Sequence, residues 1–237
     1  MNLTDEPFYT IQGEGYGIGR PSIFVRFSGC NLRCKWIRDG VETICDTPYS
    51  SFKPERFVTT LDAVSNFITT QSKAKQIIVT GGEPLMWPDQ VWALFNRLPT
   101  EFEMTIETNG TLLKDFSLDS SRLTFSISPK ITTTESTRES RSALAASIKK
   151  SFQSLPSTRH ILKFVLNDMM IHSTADMIHE FIQQTGIPER NVYLMPEGVT
   201  SEQIDEKQTK IAEMAMMHGW NYTDRMHLRL WKGRRNT

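Results

Sequence analysis

Six short runs rich in β-forming residues recur along this chain, most of them followed by a helical pattern, and that alternation limits the folds open to it. The runs are Ser22–Phe27, Gln76–Thr80, Glu103–Thr108, Leu123–Ile127, His160–Leu166 and Asn191–Met195. Between them the apolar periodicity predicts helices over Leu61–Thr69, Pro88–Leu98, Ser142–Phe152, Thr174–Gln184 and Ser201–His218, the fourth carrying Met177, Ile178, Phe181 and Ile182 on one face. Strands that alternate with helices build a parallel sheet joined by crossover helices. The connection after Glu103–Thr108 has no helical pattern. The expected fold is therefore α/β, a partial, open (β/α)6 barrel rather than a closed eight-stranded one. At 237 residues with 38% hydrophobic content, the chain can bury one sizeable core. A single domain over residues 1–237 is expected.

In a sheet of this kind ligands sit at the carboxyl ends of the strands, and the chemically distinctive residues of this sequence collect there. Cys30, Cys34 and Cys45 follow the first strand and are the only cysteines in the chain. Three thiolates can hold three irons of a [4Fe–4S] cube and leave the fourth iron open. A radical S-adenosylmethionine (SAM) enzyme needs such a cluster, because the open iron chelates the amino and carboxylate groups of the methionine moiety. The usual spacing is C-x3-C-x2-C. Here the first gap fits, but Ile37 stands where the third cysteine would fall, and ten residues separate Cys34 from Cys45. An inserted loop at about 37–44, turning at Asp39-Gly40, accounts for the difference, and loop-closure entropy grows slowly enough to allow it. A disulfide would leave one thiol over, and Met1–Glu6 lacks a signal-peptide pattern. A structural zinc site usually takes four ligands, and the nearest histidine, His160, is far along the chain. Three unrelated buried thiols would be scattered rather than clustered ahead of a glycine-rich turn.

Thr80-Gly81-Gly82-Glu83-Pro84 ends the second strand, where paired glycines are expected to let the backbone approach a ligand and expose N–H groups, with Glu83 offering a carboxylate. Glu107-Thr108-Asn109-Gly110 ends the third strand, Ser128-Pro129-Lys130 the fourth and Met195-Pro196-Glu197-Gly198 the sixth. Lys+Arg and Asp+Glu are both 27, so there is no basic surplus for neutralising phosphates, and no apolar run is long enough to span a bilayer. The expected partner is a small molecule, with no nucleic acid and no membrane. A cytoplasmic, reducing compartment suits the cysteines.

Several of these segments, taken together, resemble the 7-carboxy-7-deazaguanine synthases, radical SAM enzymes of deazapurine (queuosine, archaeosine, preQ0) biosynthesis. The match runs from Phe8-Tyr9-Thr10-Ile11-Gln12-Gly13-Glu14-Gly15 through Phe24-Val25-Arg26 and the cysteines to Cys45-Asp46-Thr47-Pro48-Tyr49. It resumes at the Thr-Gly-Gly-Glu-Pro turn, Glu107–Gly110, Ser128–Lys130 and His227-Leu228-Arg229-Leu230-Trp231. The Gly-Gly-Glu turn identifies only the superfamily; Gln-Gly-Glu-Gly and Cys-Asp-Thr are more particular. Met195–Gly198 departs from the Gln-Pro of many relatives.

The resemblance implies conversion of 6-carboxy-5,6,7,8-tetrahydropterin to 7-carboxy-7-deazaguanine with loss of ammonia, SAM acting as a cofactor that is regenerated and Mg2+ assisting. It implies that Cys30, Cys34 and Cys45 ligate the [4Fe–4S] cluster and that Thr47 ligates magnesium. Ile44, Asp46, Gly82, Ser128, Pro129, Lys130, Met195, Pro196 and Glu197 would line the SAM site, with Glu83 taking the methionine amino group. Ile11, Gln12, Gly13, Arg26 and Thr80 would hold the pterin, Arg26 gripping its carboxylate with both guanidinium arms. A flavodoxin- or ferredoxin-type electron donor is expected, and a homodimer is compatible. Judged singly, Arg26 reads equally as a surface arginine, Thr47 as a turn residue, His227 and Trp231 as packing residues, and Glu14 as an anchor of its own loop. Two other classes share some of these features. A glycyl-radical activase would have the cysteines and the Gly-Gly-Glu turn but not the Gln12–Gly15 and Arg26 set, and a non-catalytic iron–sulfur protein would not cleave SAM.

Overall fold

The structure, a computed structural model, describes the whole chain except residues 39, 72, 114, 115, 117 and 168–170 and the side chains at 38 and 171–173. Strands β1 (Asn2–Leu3) and β2 (Phe8–Ile11) precede β3 (Pro21–Phe27), and both run antiparallel to it, Leu3 opposite Phe27 and Phe8 opposite Phe24. A hairpin of β4 (Lys35–Arg38) and β5 (Val41–Ile44) stands apart, and β6 (Phe57–Val58) pairs with β1. Then follow α1 (Leu61–Thr70), β7 (Gln76–Gly81), α2 (Pro88–Arg97), β8 (Glu103–Thr108), β9 (Leu123–Ile127), α3 (Arg138–Ser154), β10 (Arg159–Leu166), α4 (Ile171–Thr185) and β11 (Val192–Pro196). Helices α5 (Ser201–Asp205) and α6 (Gln208–His218), strand β12 (Asn221–Tyr222) and helix α7 (Met226–Trp231) complete the chain.

The main sheet runs β12-β11-β10-β9-β8-β7-β3-β1-β6, and every neighbour from β3 to β12 is parallel. It ends at β12 on one side and β6 on the other, so the barrel is partial and open. The six expected strands are β3, β7, β8, β9, β10 and β11, and β12 adds a short seventh parallel strand. Strands covered on both faces read as continuous apolar runs; Ile77, Ile78 and Val79 of β7 are all fully buried. Helix α4 packs Ile178, Phe181 and Ile182 into the core, Phe181 meeting Phe164 of β10 edge-on at 5.9 Å. Among the described residues no helix joins β8 to β9, and no helix is long and apolar enough to cross a membrane.

Three sequence readings need correction. Helix α3 starts four residues before Ser142, because Thr137 and Ser140 form a reciprocal capping box that satisfies the first free N–H groups. The expected helix Ser201–His218 is two helices, because Lys207 leaves helical geometry (φ −125°, ψ −14°) while its buried ammonium lies 3.3 Å from Glu197. The expected loop at 37–44 is a hairpin that begins at Lys35. Gly40 takes up the left-handed φ (+74°) that its tight turn demands, while Asp39 lies outside the described residues.

Candidate active site

The carboxyl ends of the parallel strands open into one cavity of about 400 Å³, which all three cysteines line. Cys30 and Cys34 leave the end of β3 in a loop held by Gly29 N–H donating to Ser50 O at 2.9 Å, and Cys45 returns at the end of the hairpin with its N–H on Cys34 O at 3.2 Å. The ten residues between them thus fold back on themselves and return Cys45 to Cys34. All three thiols are free and partly exposed. Burial, opposed only in part by a backbone N–H from Leu32, pushes the Cys30 thiol up. Burial likewise pushes Cys34 to about 11 despite Lys130 nearby. Among the described residues no three acidic, histidine or cysteine side chains converge on a point for a single ion. A cube takes one thiolate on each of three irons, so its ligands must stand apart around a common space. All three cysteines line one cavity, which is the common space such a set needs.

The Gly-Gly-Glu turn closes the wall beside the cysteines by backbone approach. A Cβ on Gly81 (φ +135°) would sit 2.0 Å from Phe27 O, and one on Gly82 would sit 2.2 Å from Gly29 O. The expectation that this turn exposes N–H groups needs correction: Gly82 N–H donates to Phe27 O (3.2 Å) and Glu83 N–H to Gly29 O (2.8 Å). The glycines dock β7 onto the cysteine loop. Glu83 is fully buried; its carboxylate accepts from Leu85 N–H, Thr108 Oγ1 and Asn109 N–H at 3.0, 2.7 and 2.7 Å. Burial raises its pKa, those three hydrogen bonds acting in the opposite sense. Glu83, Pro129 and Pro196 are not on the cavity wall. Gly82, Ser128, Lys130, Met195 and Glu197 are, together with Ile44 and Asp46. Lys130 donates to Ser128 Oγ at 2.9 Å. Thr47 also lines the cavity, its hydroxyl 3.4 Å from Cys45 Sγ.

Ile11, Gln12, Gly13, Arg26 and Thr80 line the same cavity as the cysteines. The Arg26 guanidinium lies over the rings of Phe8 and Tyr49 at 5.8 and 5.7 Å, with Nε 3.5 Å from Asp5 Oδ2. It is neither the surface arginine that composition alone would suggest nor fully paired, because its terminal nitrogens make no hydrogen bond among the described residues.

The sequence did not single out Lys163 and Arg225, which line the same cavity and link Glu14, Asp46 and Glu107 into one chain of charges. Glu107 accepts from Gln12 (3.3 Å), Ser126 (3.0 Å) and Lys163 (2.9 Å); Lys163 also donates to Glu14 (2.9 Å). Glu14 accepts in turn from Arg225 Nε (2.9 Å), whose NH2 donates to Asp46 (2.7 Å) and whose NH1 donates to Gly198 O. Burial opposes the charge on Glu14, yet Lys163, Arg225 and His227 outweigh it and hold its pKa well below the usual range. Burial also opposes the charge on Lys163 and Arg225, and in both the adjoining carboxylates prevail, raising the pKa. Glu14 thus ties its loop to Lys163 and Arg225 and also lines the cavity. His227 lines the cavity and packs so closely on Gly13 that a Cβ there would meet Nδ1 at 2.5 Å; Trp231 is not on the wall. The one signal that could have revealed Lys163 is a charge inside the apolar run Ile161-Leu162-Lys163-Phe164-Val165. Nothing local marks Arg225, which reaches Glu14 across 211 positions of sequence.

A family model described as a 4Fe-4S single cluster domain matches residues 11–128. The 7-carboxy-7-deazaguanine synthase of Rhodopirellula baltica is 34% identical over 99% of this chain and 88% of its own length, and that of Halobacterium salinarum 32% identical over 96% and 89%. Among solved structures, QueE from Escherichia coli superposes with a TM-score of 0.60 at 18% identity, covering 95% of this chain and 94% of that one. Streptococcus suis SuiB bound to S-adenosylmethionine gives 0.54 at 11% identity, over 85% of this chain and 51% of its own. At those identities the structural likeness concerns the fold.

Proposed function

The chain belongs to the 7-carboxy-7-deazaguanine synthase family, and on that premise we propose that its cavity converts 6-carboxy-5,6,7,8-tetrahydropterin to 7-carboxy-7-deazaguanine and ammonia, a step of queuosine-type deazapurine synthesis. The observation that carries this reading is the convergence of the three cysteines, the Gln12–Glu14 loop and Arg26 on one cavity. When bound, the cluster and SAM supply the electron and the carbon radical that abstracts hydrogen from the substrate.

The protein's own part is binding, orientation and exclusion of water. Cys30, Cys34 and Cys45 hold the cluster; Gly82, Ser128, Lys130, Met195 and Glu197 flank SAM. Arg26, braced by two aromatic rings on the cavity wall, has two terminal nitrogens without a hydrogen bond among the described residues and suits a carboxylate. The Gln12–Glu14 loop is fixed by Glu107, Lys163 and Arg225, which line the same cavity, so the pterin meets a rigid edge rather than one that must be ordered on binding. For Mg2+, Thr47 offers one hydroxyl beside the cluster ligand. A magnesium ion commonly takes one or two protein oxygens and completes its shell with water and ligand oxygens, and that sparse set agrees with the residues present.

Anaerobic reconstitution with iron and sulfide, followed by dithionite, SAM and carboxytetrahydropterin, should give a product with the mass of the deazaguanine and one ammonia per turnover. Reductive SAM cleavage with the pterin recovered unchanged would refute the assignment and favour the activase class.

A further inference from the structure

Two bound molecules that exchange a hydrogen must be held at a fixed separation, so the links between the two sides of this cavity matter as much as either side alone. The pterin residues Gln12, Gly13 and Arg26 belong to β3 and the turn before it; the cysteine loop and Met195–Glu197 belong to the cluster and SAM side. Residues 223–226 join the two. Thr223 Oγ1 accepts from Gly15 N–H at 2.7 Å and Met226 N–H donates to Gly13 O at 2.9 Å, which docks the Gln12–Gly15 turn. Thr223 N–H donates to Leu194 O at 2.9 Å, which docks the same segment on β11. Arg225 carries the connection on to the cysteines. Its side chain is only 10% exposed, and its guanidinium ends on three parts of the chain: Nε on Glu14 (2.9 Å), NH2 on Asp46 Oδ2 (2.7 Å) and NH1 on Gly198 O. Asp46 follows Cys45, and its other oxygen lies 3.7 Å from Cys45 Sγ. One planar fork therefore fixes a carboxylate of the substrate loop and a carboxylate of the cysteine loop at a set spacing, which a lysine with its single nitrogen cannot do. Stability alone gives little reason for such a site, because apolar side chains of similar volume often replace buried ion pairs without loss.

On the reaction proposed for this cavity, we infer that Arg225 is a positioning residue that sets the separation of the cofactor side from the substrate side. It acts through Glu14 and Asp46. A displacement of about 1 Å between reacting groups can cost about 10²-fold in rate, so a loosened fork harms the transfer of hydrogen far more than it harms the binding of either molecule.

The test compares cluster-loaded wild type, Arg225→Lys and Asp46→Asn with dithionite, SAM and carboxytetrahydropterin. When the pterin hydrogen is out of reach, SAM is instead reduced to methionine and 5′-deoxyadenosine, taking two electrons from dithionite and one proton from water. Arg225→Lys should form deazaguanine about 10²-fold more slowly and raise the 5′-deoxyadenosine formed per deazaguanine about tenfold or more. SAM and pterin affinities, measured by calorimetry, should stay nearly unchanged. Asp46→Asn, which keeps the shape of the site, should raise the same ratio in the wild type and add little in Arg225→Lys, because both changes break one link; it carries the test alone if Arg225→Lys does not fold. A wild-type ratio in both variants, with product lost only in proportion to the folded fraction seen by circular dichroism, would make Arg225 merely structural and overturn the inference. A large loss of SAM or pterin affinity would overturn it too, by making Arg225 a binding residue. Wild-type protein that cleaves SAM and forms no deazaguanine would instead defeat the functional reading, so the two failures are distinguishable.

Discussion

At the scale of single residues, the site depends on two differently held cations. Arg26 sits on the Phe8 and Tyr49 rings with Nε near Asp5, and its terminal nitrogens make no hydrogen bond among the described residues, so on the proposed role truncating it removes a ligand contact besides these packing ones. Arg26→Ala should weaken pterin binding by about 2–5 kcal/mol, by analogy with losing one partner of a charge-assisted pair, while SAM affinity measured by calorimetry stays nearly constant. Weakened SAM binding with an unchanged pterin response would put the carboxylate grip elsewhere. Lys163 is the opposite case, buried between Glu14 and Glu107. Lys163→Met leaves two carboxylates facing each other, and breaking a buried pair in this way costs roughly 3–5 kcal/mol. A urea midpoint unchanged from wild type would show that the charge chain contributes nothing to the fold. Sequence reading found Arg26 because a motif surrounds it, and missed Lys163 as a site residue because its partners lie on other strands.

At the scale of elements, two junctions are testable. The first is the docking of β7 on the cysteine loop, where Gly82 faces Gly29 O and Ser50 O across 2.2 and 2.5 Å of would-be Cβ contact. Gly82→Ala must push that backbone apart, an overpacking that costs about 1–3 kcal/mol; thermal denaturation of the metal-free protein should show a lower Tm. The second is the packing of α3 on β10 through His160. Its ring contacts Thr158 O (3.1 Å) and Ser151 Oγ (3.2 Å) and packs between Phe125 and Phe152. Burial lowers its pKa from 6.5 to about 4. Between those values the unfolded chain holds more protons than the folded one, so stability falls as pH drops from 6.5 toward 4, by up to about 3 kcal/mol. Denaturation midpoints of His160→Gln should show a shallower decline over that window; parallel curves would mean that His160 is not the titrating group. Strand and helix types were legible here because burial on both faces writes apolar runs. Boundaries were less so: the α3 cap depends on a local hydrogen-bond exchange, and the break between α5 and α6 on a lysine drawn toward Glu197.

At the scale of the molecule, the open parallel sheet and its ligand edge followed from the order of strands, and cysteine count and spacing pointed to a three-thiolate cluster. Long-range closure was not visible. The hairpin returns Cys45 to Cys34, and Arg225 ties the cysteine loop to the Gln12–Glu14 loop and to the end of β11, contacts that pair residues far apart in sequence and leave no local pattern. The EPR spectrum of the reduced protein addresses the shared site most directly. With three thiolate ligands and one open iron, adding SAM should change the cluster signal, and adding the pterin afterwards should change it again, if both ligands bind, as proposed, in the cavity that the cysteines line. Cys45→Ala should lose the SAM-dependent change. A wild-type signal that neither ligand alters would contradict an open iron in that cavity.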